Sequence, residues 1–277
     1  MSTSGELQGN NPIAQNTYDI LLDSVKEMVG FINADFRNQS EKHTRSDLRN
    51  LWSVVIQTAM TTPTNDDQAQ DSLVKEVRRL GRSGSLRSDA TPENGFLWYS
   101  YPLLAEHVSD TWLDGWKWFK KEDTLNLAAF TARLVEAHEH GPKLLFCALL
   151  VLRETLETRR RLNVKEDGTE TPVADLFPAA MAWFRIAGEK IANYCLDTVT
   201  ITDEKDETEA KLAAVGHVAA NAGVSYPGFS PERWHFWEER LEMLSSVDDK
   251  EINEQAKKGK EFMDEARNDS WNERPPV

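Results

Sequence analysis

Apolar residues recur at three- and four-residue spacing along almost the whole chain, and this period constrains the fold more than any other feature. Tyr18, Leu21, Leu22, Val25, Met28, Val29, Ile32 and Phe36 form the first stripe, one side of a helix of about five turns. Leu48, Leu51, Trp52, Val55, Ile56 and Ala59 form the second, opened by Ser46 and Asp47 and stopped by Pro63. Leu73, Val74, Val77 and Leu80 form the third, between Asp66 and Gly81. A strand would need strict alternation, and only Thr198 to Thr202 has local β character.

Capping residues divide the rest. Pro102 suits a helical first turn, and Leu104, Val108, Trp112, Trp116 and Phe119 follow on one face. Another helix follows Asp123, aligns Leu127, Phe130, Thr131, Leu134 and His138, and stops at Gly141 and Pro142. Lys143 to Asn163 is apolar on more than one side, which predicts a central buried helix. Pro172 opens the stripe Leu176, Phe177, Ala180, Trp183, Phe184, Ala187, Ile191 and Tyr194. The small-residue segment Leu212 to Ala222 allows close helix approach. Ser230 and Pro231 are an N-cap and first-turn proline before Trp234, Trp237, Leu241 and Leu244. A charged surface helix, Asp249 to Arg267, carries the weak stripe Ile252, Ala256, Met263 and Ala266.

The expected fold is therefore all-α: a single domain of about nine helices in an irregular antiparallel bundle or helix-pair stack. No fixed-period repeat supports a regular solenoid. Residues 17–267 are expected to form this domain, with disordered tails at 1–16 and 268–277. Gly81 to Gly95, rich in Gly, Ser and Arg, is the expected long loop. With only 14 glycines and 11 prolines in 277 residues, turn-formers are scarce.

The net charge of −14 speaks against nucleic acid and anionic membrane as partners. The apolar run Leu144 to Leu152 is far short of the roughly 20 residues that cross a bilayer. Met1 to Gln15 lacks the basic start and apolar core of a signal peptide. Cys147 and Cys195, each in an apolar stretch, read as buried thiols. A cytoplasmic protein is expected.

Candidate chemistry is sparse. Asp66, Asp67 and Asp71 have the spacing of an aspartate-rich magnesium segment, but they open a helix, where aspartates act as caps, and no second metal motif accompanies them. Glu136 and His140 share a helical face beside His138, without the further ligands that zinc requires. Neither a metal nor another cofactor is expected. The cationic clusters Lys75, Arg78, Arg79, Arg82 and Arg159, Arg160, Arg161 fall where helices end and are favoured by the dipole. The acidic run from Asp203 to Glu209 reads as a solvated loop and helix start.

Two segments stand out. Trp98, Tyr101, His107, Asp110, Trp112 and Trp116 gather aromatic rings around a histidine flanked by carboxylates, the makings of an acid–base group in an apolar pocket or, more plainly, a partly buried histidine beside a filled aromatic core. Arg233, Trp234, Trp237 and Arg240 alternate cations and indoles along one helix, the residue types that dominate protein interfaces, and equally suited to locking the helix to its bundle. No nucleophile elbow or local cysteine partner decides whether the chain is an enzyme.

The pieces LRNLWSVVIQTAM, LWYSYPLLAEHVSDTW, WFRIAGEKI and FSPERWHFWEERLEML resemble a fungal helical family known as domain of unknown function 3632. The resemblance runs from about Leu48 to Leu244 and rests on aromatic spacing, not on catalytic signatures. Some members belong to secondary-metabolite clusters, for example as oxopyrrolidine-biosynthesis cluster proteins. The resemblance thus implies a fungal source and an accessory role in specialised metabolism, binding or processing a small metabolite in an aromatic-lined pocket. It carries over no catalytic residue. The other reading of the residues is a non-enzymatic helical module for a partner protein.

Overall fold

Each described stripe becomes a helix, because a 3.6-residue turn gathers its apolar residues onto one buried face. The fold is given by a computed structural model that describes residues 23–32, 41–82, 101, 103–115, 119–137, 142–163, 171–200 and 207–267. The expected tails, the loop from 83 to 95, and Trp98, Trp116, His138 and His140 lie outside the described residues.

The chain runs α1 (23–32), α2 (Glu41–Thr61), α3 (Asp67–Arg82) and α4 (Leu104–Asp110), the last prolonged by a π-helical turn, Thr111–Gly115. There follow α5 (Lys121–Glu136) and α6 (Pro142–Leu152), with a second π turn, Arg153–Glu157. Then come α7 (Val173–Leu196), α8 (Glu207–Ala213), α9 (His217–Asn221), α10 (Pro231–Leu244) and α11 (Lys250–Ala266). No strand occurs among the described residues, and the protein is all-α.

The long helix α7 is packed against both α5 and α11. Phe177, Ala180, Trp183, Ala187, Ile191 and Cys195 are completely buried along it. A kink falls at Ala187, whose φ of −123° and ψ of 21° leave the helical region. Gly188, next to it, sits so close to α11 that a Cβ there would lie 3.1 Å from that of Ala266. Gly259 of α11 leaves the same kind of gap, filled by Met181. The faint stripe of α11 is thus a closely fitted contact, with Ile252, Ala256, Gly259 and Met263 all buried. Its charged residues point outward, as expected of a surface helix.

α6 is the predicted central helix, with Leu144 to Leu152 buried residue after residue. It contacts α4, α5, α7 and α8, which explains why its sequence shows no polar side. The small-residue segment 212–222 is split, with α8 and α9 separated by a break over 214–216. The signal at Ser230 and Pro231 is realised, with the Ser230 hydroxyl accepting from the Arg233 amide at 3.2 Å.

The α2–α3 corner is held by two buried amides. Asn126 of α5 donates to the Met60 carbonyl at 2.9 Å and accepts from the Thr64 amide at 3.0 Å. Gln70 donates to the Thr62 carbonyl at 2.8 Å. Pro63 ends α2, and these side chains satisfy the backbone groups that the turn leaves over.

Candidate functional site

The backbone entering α4 is strained. Tyr101 has φ 46° and Leu103 φ 67°, left-handed values that cost a bulky side chain on the order of 1–3 kcal/mol. The helix leaves through a π turn, a distortion that recurs at functional sites. Seven helical residues are therefore set between two irregularities, and His107 is in the middle of them.

His107 is half-buried, and its Nε2 lies 2.8 Å from the Ser53 Oγ on the exposed side of α2. The same Oγ lies 2.9 Å from the Arg49 carbonyl, one turn back on α2, and can donate its proton there. Glu106 accepts from the Arg49 guanidinium at 2.7 Å and pairs with Arg45 at 4.0 Å. Burial holds the His107 pKa below the ordinary imidazole value, opposed chiefly by the Asp110 carboxylate one turn further along α4. The imidazole is therefore neutral near pH 7 and able to accept a proton.

Of the aromatic residues expected around it, Tyr101 is buried edge-on to Trp52, with ring centroids 6.4 Å apart. Trp112 is 2% exposed, and its indole N–H has no hydrogen-bond partner among the described residues. The structure thus places Tyr101 and Trp112 in the hydrophobic core and His107 and Asp110 nearer its surface. Ser53, which the sequence reading did not single out, completes the polar set. Nothing local marked it, since its partner is 54 residues away.

The partner-binding expectation meets a different environment. Arg233, Trp234 and Trp237 are each 0% exposed, so they offer no surface to a second protein. Arg233 instead grips Glu157, which is also fully buried. Its Nε donates to Glu157 Oε1 at 2.6 Å and its Nη2 to Oε2 at 3.0 Å. Nη1 donates to the carbonyls of Ala213 and Gly228, both at 2.9 Å, and Nη2 to that of Ala214 at 3.0 Å. Glu157 also accepts from the Trp237 indole at 2.8 Å and from the Gly216 amide at 2.7 Å. Every guanidinium N–H and carboxylate lone pair is used, as a charge pair removed from water requires. Arg240 is partly exposed, and its Nε has no partner among the described residues.

The aspartates at the start of α3 are explained by structure alone. Asp66 caps the helix by accepting from the Ala69 amide at 3.0 Å. Asp67 and Asp71 both pair with Arg133 of α5, the latter at 2.9 Å. Among the described residues no three His, Cys, Asp or Glu side chains gather as a metal site. An open groove of about 380 Å³ between α10 and α11 is crossed by the ion pairs Lys260–Glu242 and Arg267–Glu238. No helix is long and apolar enough to cross a membrane among the described residues.

Fold and site together define an all-helical protein with a buried ionic lock and a separate serine–histidine contact on a strained helix. Residues 52–241 match a family described as a protein of unknown function, DUF3632, and the chain belongs to that family. The matched region holds Ser53, His107, Glu157 and Arg233, while α1 and α11 fall outside it. The chain is similar, at 26% identity, to a Penicillium oxalicum protein named oxopyrrolidines biosynthesis cluster protein G. That alignment covers 78% of this chain, which spans 65% of the relative's length. No solved structure matches the chain.

Proposed function

We propose that the protein is an accessory component of a secondary-metabolite biosynthesis cluster, and that it binds or processes a small metabolite at the His107 face of α4. The reading is carried by the His107–Ser53 contact, a neutral imidazole beside an exposed hydroxyl on a helix with strained backbone at its entry. The name of the Penicillium oxalicum relative supports the biosynthetic setting. Trp112 adds support, because a buried indole N–H without a partner costs roughly 1–3 kcal/mol and a ligand oxygen would satisfy it. Tyr101 and Trp112 form the aromatic floor in this reading.

Native mass spectrometry of the protein purified gently from its own host tests the proposal. The expected result is a retained small molecule that His107→Gln and Trp112→Phe release while circular dichroism still reports a helical fold. A bare monomer, or equal retention by both variants, would overturn it. A retained protein subunit would favour the interaction module instead.

A further inference from the structure

We propose that Ser53 and His107 are a nucleophile–base pair for acyl transfer, acting on a carboxylic ester of the metabolite bound at this face. This step rests on the metabolite-binding reading and goes beyond it by naming a reaction and a substrate class. The geometry of the two side chains carries it.

The two reactive atoms, Ser53 Oγ and His107 Nε2, are 2.8 Å apart and come from different helices. That is the reach a general base needs to take the proton of a hydroxyl nucleophile. Ser53 is also exposed, so an ester carbonyl can approach its oxygen.

Asp110, one turn further along α4, opposes the lowering of the His107 pKa by burial. In the tautomer with its proton on Nδ1, the ring offers Nε2 as an acceptor. The Ser53 proton then has two acceptors, the Arg49 carbonyl in the resting helix and Nε2 during reaction.

Arg49 is one turn before Ser53 on the same face of α2, and its guanidinium is paired with Glu106, the residue before His107. In the step itself, Ser53 Oγ forms a bond to the ester carbon and passes its proton to Nε2. The carbon–alkoxy bond breaks, and the leaving oxygen takes that proton as an alcohol. Water then attacks the acyl-serine, giving its proton to Nε2, and the carbon–Oγ bond breaks as Oγ takes that proton back. The products are a carboxylic acid, an alcohol and unmodified Ser53.

An alkyl fluorophosphonate, which phosphonylates activated serines, is the probe. Intact mass and peptide mapping of the full chain should give one adduct, on Ser53 and absent from Ser53→Ala. His107→Gln should slow labelling by about 100-fold, the size of a general-base contribution. The rate should also fall as pH drops through the lowered imidazole pKa, and Asp110→Asn, which removes a carboxylate that raises this pKa, should shift that profile to lower pH. No adduct, an adduct elsewhere, or labelling indifferent to His107→Gln would overturn the proposal. Native mass spectrometry of Ser53→Ala separates the two readings. A metabolite retained by a chain whose wild type the probe ignores leaves binding intact and removes acyl transfer. An adduct on Ser53 in a chain that retains nothing does the reverse.

Discussion

A charge pair with no access to water keeps its place only when every donor and acceptor on it is met, and Glu157 with Arg233 satisfies that condition. Removing one partner leaves the other ionised, buried and short of hydrogen bonds. Arg233→Met and Glu157→Leu are therefore each expected to lower stability by about 3–5 kcal/mol. Urea denaturation followed by circular dichroism measures the loss. The double variant should cost clearly less than the two losses added, because neither charge is then stranded. Strict additivity would show that the two side chains act independently. Little of this was legible beforehand. Arg233, a cation among indoles, suits a partner surface and a lock on the bundle alike in the sequence. Glu157, in the run Thr155–Leu156–Glu157, has no local sequence feature that marks it. The two are 76 residues apart, and a π turn buries all three residues of that run in succession.

The same lock decides the shape of an element. The segment from Leu212 to Ala222 has the small residues of a close-packing helix, yet it breaks at 214–216. Arg233 takes the carbonyls of Ala213 and Ala214, and Glu157 takes the Gly216 amide, so backbone groups that would continue a helix are satisfied elsewhere. Gly216 is required by proximity rather than by φ. A Cβ there would lie 2.5 Å from that of Glu157 and 2.7 Å from its carbonyl oxygen. Backbone cannot rotate away as a side chain tip can. Gly216→Ala should therefore cost about 1–3 kcal/mol, the usual range for overpacking. Gly30→Ala, with nothing within 4 Å of its Cβ position on α1, should be neutral or slightly stabilising when both variants are compared by urea denaturation. Equal effects from both would mean that helix propensity, not the contact with Glu157, governs position 216. Helices with a polar side were readable from periodicity, and α10 even to its cap. Where long-range hydrogen bonds outcompete local ones, as between α8 and α9, the local pattern has no access to the answer.

At the scale of the molecule, the helical class follows from the period of the apolar residues, but the order of packing does not. Nothing in the sequence marks α7 as the helix that α5 and α11 both cover, and α11 carries only a weak apolar stripe. Its contribution comes from fit: Gly259 against Met181 and Leu241, and Ala266 against Gly188. The family match stops at residue 241, so this helix lies outside the region that defines the family. Those facts give opposite expectations for a chain ending at Asp248. If the matched region were self-sufficient, the shortened protein would melt cooperatively at nearly the temperature of the full chain. The packing argues otherwise. Loss of α11 uncovers Met181, Gly188 and Leu241 along a face that is continuous with the core. An exposed apolar face of that kind invites loosened packing and association. The shortened chain should therefore keep helical circular dichroism, bind a hydrophobic dye, and lose its sharp thermal transition. A cooperative melt without dye binding would make α11 an appendage and the match boundary the true edge of the fold.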